Sequence, residues 1–143
     1  MELGTFGAVM AFALQVVNQS AEFYETVCDR AKGPRLKEVL KALQDGANRD
    51  RATMEQTRRE NVTEMILEPI AGLRREDYMA TVDESILGSD TGIVKAALLL
   101  EGRDQRFFDA SAAKLPLPEV ARLFRKVAKR REENLAKLRA LTE

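Results

Sequence analysis

The sequence predicts an all-α protein: one four-helix bundle domain over residues 1–143, made of two helical hairpins joined by a long crossover that contains a short helix. Three observations predict it. Ala, Leu, Glu, Lys and Arg are abundant and 32% of residues are charged, a mix that favours helix. Four long segments place apolar residues at three- and four-residue steps, the period of one helix face. The second half also repeats the pattern of the first. Shifted by 84 residues, the chain aligns on itself without a gap over roughly forty positions. Ala13-Leu14 then falls on Ala97-Leu98, Phe23-Tyr24 on Phe107-Phe108, and Pro34 on Pro118. Leu36, Val39, Leu40 and Leu43 fall on Val120, Leu123, Phe124 and Val127. Two hairpins related by a pseudo-twofold axis and joined by one long connection make a bundle with a single crossover.

The first helix runs from about Gly4 to Ala31, with Phe6, Val9, Ala13, Val17, Ser20, Tyr24 and Val27 on its stripe. Gly33-Pro34 breaks it, and Pro34 is well placed to start the second helix. That helix reaches about Asn61, with Leu36, Val39, Leu40, Leu43, Ala47, Asp50 and Met54 facing inward. The crossover covers Val62 to about Ser89. Met65, Ile66, Leu67, Ile70, Leu73, Tyr78, Met79, Val82 and Ile86 give it surface to pack, and a short helix is expected near Glu76–Glu84. Ser89, Asp90 or Thr91 caps the third helix, whose stripe is Val94, Ala97, Leu98, Glu101, Gln105, Phe108 and Ala112. Leu115-Pro116-Leu117-Pro118 forms the second tight corner. The fourth helix runs to near Leu141, with Val120, Leu123, Phe124, Val127, Arg131, Asn134, Leu135 and Leu138 inward. In each aromatic pair, Phe23-Tyr24 and Phe107-Phe108, one ring is expected in the core and the other in a helix–helix or subunit interface.

Composition narrows the chemistry. The 23 basic residues balance the 23 acidic ones, which gives no electrostatic reason to expect nucleic acid or an acidic membrane surface. His is absent, which removes conventional Ser–His and Cys–His mechanisms and the commonest metal ligand. Cys28 is the single cysteine and is expected as a small buried side chain. Thr5–Val17 is apolar but too short to span a bilayer and has no basic residue before it, so a core helix is expected in a soluble, cytoplasmic protein. Lys126, Lys129, Arg130, Arg131, Glu132 and Glu133 form a charge-rich stretch, most of which reads as solvated helix face.

Val17–Tyr24, Val-Asn-Gln-Ser-Ala-Glu-Phe-Tyr, resembles the first helix of the rubrerythrin and ferritin-like family, which carries Glu-x-x-Ala-x-x-Phe-Tyr. Glu101–Phe108, Glu-Gly-Arg-Asp-Gln-Arg-Phe-Phe, resembles the same pattern, and Leu36–Asp50 and Val120–Asn134 resemble the family's second and fourth helices, which end in Glu-x-x-His. The resemblance implies a ferritin-like bundle. It also implies a di-iron site built from one Glu on each of two helices and a Glu-x-x-His pair on each of the others.

Position by position, that ligand set is nearly gone. The first Glu is Val17, the second-helix pair is Ala47 and Asp50, Glu101 survives, and the fourth-helix pair is Arg131 and Asn134. Without metals, four glutamates would repel one another in a dry core, and Val17, Ala47 and Arg131 remove three of them. A guanidinium cannot shed its proton, so a buried Arg131 needs acidic partners, and Glu101 and Asp50 are the candidates. The expectation is a buried Glu101–Arg131–Asp50 cluster in place of the metal centre, with no catalytic residues, no metal and no cofactor. Iron or another divalent metal at Asp50 and Glu101 is the lesser alternative. The function expected is a non-catalytic helical scaffold, with a second copy of the chain as the leading partner. A rubrerythrin-type oxidoreductase and a binder of small molecules in the vacated core are the alternatives.

Overall fold

The computed structural model of the chain describes residues 2–61 and 69–142. Four helices form where the apolar period runs: α1 over Phe6–Val27, α2 over Pro34–Asn61, α3 over Asp90–Ala112 and α4 over Pro118–Ala140. Their starts have local causes. The Thr5 hydroxyl accepts from the Ala8 N–H and the Ser89 hydroxyl from Gly92 N–H, each covering a donor that the first turn leaves without a partner. Pro34 and Pro118 open α2 and α4, where a missing N–H costs nothing. Helix α1 ends at Val27, short of Ala31. The turn after it is tied down by Asp90, whose carboxylate accepts from the backbone N–H groups of Lys32 and Gly33 at 2.9 and 2.8 Å. Those two bonds hold the Asp90 carboxyl below its ordinary range.

Helices α1 and α2 pack as one hairpin, α3 and α4 as the other, and the two hairpins close into a four-helix bundle. The crossover is not the single short helix expected over Glu76–Glu84. It holds two 3₁₀ turns, Arg75–Tyr78 and Glu84–Ile86, with extended backbone at Met79 between them. Its first part pairs with the start of the chain, Leu3 N–H donating to Leu73 O and Ile70 N–H to Gly4 O. Its second part presses so closely on α3 that a side chain at Gly92 would collide with the backbone of Ile86. Met65, Ile66 and Leu67, expected to pack, lie outside the described residues.

The crossover explains where the single-stripe reading of the helices was too narrow. It covers the outer flank of α1 and α3, so these helices are buried on broad faces, while α2 and α4 keep narrow stripes. Both members of each aromatic pair are buried. Phe107 lies edge-on to Phe12 and to Tyr78 of the crossover, while Phe23 lies edge-on to Tyr24 in the cluster that Ala80 and Val82 pack against. On α3, Leu98 and Gln105 are only half-buried, whereas Leu100 and Asp104 are fully buried. Cys28 is half-buried, and burial raises its thiol pKa.

The apolar core comes in two parts. One is aromatic, with Phe6, Phe12, Phe107, Phe108 and Phe124 around the first half of α1 and the corner between α3 and α4. The other is mainly aliphatic, with Val27, Leu36, Leu40, Leu43, Ile93 and Leu100 around the opposite corner. Between them lies a layer of buried polar side chains: Ser20, Asp50, Glu101, Asp104 and Arg131, with Arg103 at its edge.

Candidate functional site

This layer contains the positions singled out from the sequence. Val17 and Ala47 are fully buried and apolar. Asp50, Glu101 and Arg131 are all buried and meet at one level of the bundle, as expected. Arg131 is the largest of the fully buried side chains. Its Nη2 lies 3.1 Å from Asp50 Oδ2 and its Nε 3.6 Å from Glu101 Oε2. Asn134, half-buried, donates from Nδ2 to Glu101 Oε2 at 3.3 Å.

Five further groups complete the layer: Asp104, Ser20, Arg103, Tyr24 and Arg130. Asp104 is fully buried; its Oδ2 lies 3.2 Å from Arg131 Nε and accepts from the Ser20 hydroxyl at 2.7 Å, and its Oδ1 accepts from Arg103 Nε at 2.7 Å. Tyr24 donates its hydroxyl to Glu101 Oε1 at 2.6 Å. Arg130, within the stretch expected to be mostly solvated face, reaches in from a half-exposed position and donates to Asp50 Oδ1 at 2.6 Å. Three carboxylates therefore face three guanidiniums. Asp104 was visible in principle: it follows Glu101 by three residues on the same helix face, and the repeat sets it on Ser20. The residue it touches lies 84 positions away, the offset of the repeat.

The electrostatics follow from burial. The Glu101 pKa stands at about 7: removal from water, the largest cause, and the Asp104 charge raise it, against the Arg131 charge and the hydrogen bonds from Tyr24 and Asn134, which lower it. Burial alone would make Arg131 easier to deprotonate, but Glu101, Asp104 and Asp50 outweigh that and fix its proton more firmly. Burial and the Glu101 charge raise the Tyr24 phenol well above its usual value, so it stays a hydrogen-bond donor. Arg131 Nε and Nη2 stand at ion-pair distance but off the hydrogen-bond directions. Arg131 is thus held as a charge among charges and not by bidentate geometry.

These residues do not fit a di-iron centre. Such a centre needs carboxylates to balance its cations and imidazoles to complete their coordination. Here one of six positions keeps its carboxylate ligand, no imidazole is present, and a permanent cation occupies the middle of the carboxylate group. Among the described residues, no group of three or more His, Cys, Asp or Glu is arranged to hold a metal ion. No described helix is long and apolar enough to cross a membrane. No protein-family model matches the chain, nor does any curated protein or solved structure.

Proposed function

We propose that this protein is a non-catalytic helical scaffold of ferritin-like descent, in which an internal ion-pair layer has taken the place of a di-metal centre. One observation carries the reading: the Arg131 guanidinium lies within 3.1–3.6 Å of Asp50, Asp104 and Glu101 at the middle of the bundle. A cation fixed to the chain does for those carboxylates what bound metal would otherwise do, and it does so without redox chemistry. A scaffold acts through its surface. Homodimerisation belongs to the same proposal, and Leu99 and Met79, the exposed large hydrophobic residues among those described, are side chains that a second copy would cover. A cytoplasmic location is part of it as well.

The test is elemental analysis of purified protein, followed by titration with Fe(II) and Mn(II) under exclusion of oxygen, read by thermal melting. Metal far below one ion per chain, and a melting temperature that neither ion moves, is the expected result. Stoichiometric iron or manganese, or a melting temperature raised in proportion to added metal, overturns the proposal.

A further inference from the structure

The polar layer has one arm that leaves the core. Arg103 is only 3% exposed, yet it spans from Asp104 inside the bundle to the crossover, where it donates to the Tyr78 carbonyl at 3.1 Å. Its Nη2 is buried and has no hydrogen-bond partner among the described residues. A buried guanidinium N–H without an acceptor is costly, so native proteins rarely leave one unless something else supplies the acceptor.

Arg103 also lines a cleft of about 250 Å³ between the crossover and the exposed flank of α1 and α3. Phe12, Gln15, Gln19, Arg75 and Met79 line the same cleft. Arg75 crosses the Phe12 ring at 5.6 Å and donates to Gln15 Oε1 at 3.2 Å, which presents its guanidinium along one wall. Gln19 is fixed by its bond to the Ala80 carbonyl at 2.8 Å. None of the described lining residues is acidic, so two guanidiniums share a half-enclosed space with amides and an aromatic face. Met79, 60% exposed, forms part of the rim.

We propose that this cleft is a binding site for a small oxyanion, a carboxylate or phosphate group, gripped between Arg75 and Arg103. The charge sign, the planar donors and the volume suit such a group: guanidiniums recognise carboxylate and phosphate through paired N–H bonds. The site does not rest on the scaffold reading, but it shares Met79 with the surface assigned above to a second copy, so it is a site of the single chain.

The test uses the full chain, ¹⁵N-labelled, with amide and arginine Nε–H spectra recorded during titration with inorganic phosphate and, separately, with succinate. Ionic strength is held constant with chloride. The expected result is saturable shifts at residues 12–19, 75–80 and 103 with at least one probe, and roughly tenfold weaker binding in Arg75→Gln, as the loss of a charge-assisted contact implies. Saturation by phosphate alone identifies a phosphoryl ligand, by succinate alone a carboxylate ligand, and by both a general oxyanion site. Arg103→Gln is expected to abolish binding. Because that change touches the core, Arg75→Gln, at a partly exposed residue, carries the decision if the first variant does not fold. Shifts that never saturate at the cleft with either probe, or that saturate equally in Arg75→Gln, overturn the proposal.

Discussion

The two hairpins present the same positions to the middle of the bundle and fill them with opposite chemistry. The first contributes Val17, Ser20, Ala47 and Asp50, and the second, 84 residues on, contributes Glu101, Asp104, Arg131 and Asn134. One side is mostly apolar or neutral with a single carboxylate, while the other carries two carboxylates and a guanidinium. The comparison teaches that a repeated backbone fixes where side chains meet but not what charge each half brings. What must balance is the sum across the layer. Asp50 is paired from the opposite hairpin by Arg130 and Arg131, and Ser20 answers Asp104 directly. Neither hairpin is self-sufficient in hydrogen bonds or charge, so the layer ties the two together.

The sharpest way to break this asymmetry is to remove its cation. Arg131→Leu takes the shared cation from three buried carboxylates, leaving Asp50 to Arg130 and Asp104 to Arg103 but Glu101 with no guanidinium, and is expected to cost about 3–5 kcal/mol in urea unfolding at neutral pH. A loss under about 1 kcal/mol would mean that the carboxylates reach water and that the layer is not balanced internally.

Titration tests the same asymmetry at Glu101, whose counterpart Val17 has nothing to titrate. Its pKa is about 7 in the folded chain, raised from 4.5, so the native state holds this proton more tightly than the unfolded chain does. The stabilisation is fully present below about pH 4.5 and is lost as pH rises through about 7, a change of about 3 kcal/mol. Unfolding free energies of wild type and Glu101→Gln across that window are expected to diverge, wild type falling relative to the variant. A difference that is flat, or that rises with pH, contradicts the reading.

Tyr24 and Phe108 are repeat counterparts, and only Tyr24 has a hydroxyl to offer the layer. Tyr24→Phe makes the two hairpins alike at this position. It removes a buried hydrogen bond to a carboxyl group, with an expected cost of about 1.5–3 kcal/mol. It should also push the Glu101 pKa higher, because that bond favours the ionised form. A carboxyl resonance followed by NMR titration checks the shift, and an unchanged midpoint would show that Tyr24 contributes packing alone. The smallest effect is expected at Asn134. Its bond to Glu101 is long, 3.3 Å, and half-buried, so Asn134→Ala should cost under about 1 kcal/mol. A larger loss would move Asn134 from the rim of the layer to its centre.

Much of the architecture was legible because helix and corner signals are local. Gly33-Pro34, Ser89 and Leu117-Pro118 mark where helices start, and the apolar period marks how far they run. The Asp50–Glu101–Arg131 meeting was legible too, since each charge lies on an otherwise apolar stripe and a buried arginine requires acids. Asp104, Arg103 and Arg130 were harder to see. A single stripe on α3 passes through Gln105 and Phe108 and leaves Asp104 at its margin. Only the crossover, by covering the flank of α1 and α3, widens the buried face enough to take it in.

The amino-acid sequence by itself determined the helices, their pairing into hairpins and the cost of leaving Arg131 without acids, because these depend on periodicity, chain breaks and the price of a buried charge. Tertiary structure alone decided which carboxylates serve that arginine, that Arg130 reaches Asp50 from the surface, and that Arg103 runs from the layer to a surface cleft. Those outcomes depend on distances between residues far apart in the chain, and such distances exist only once the crossover and both hairpins are packed.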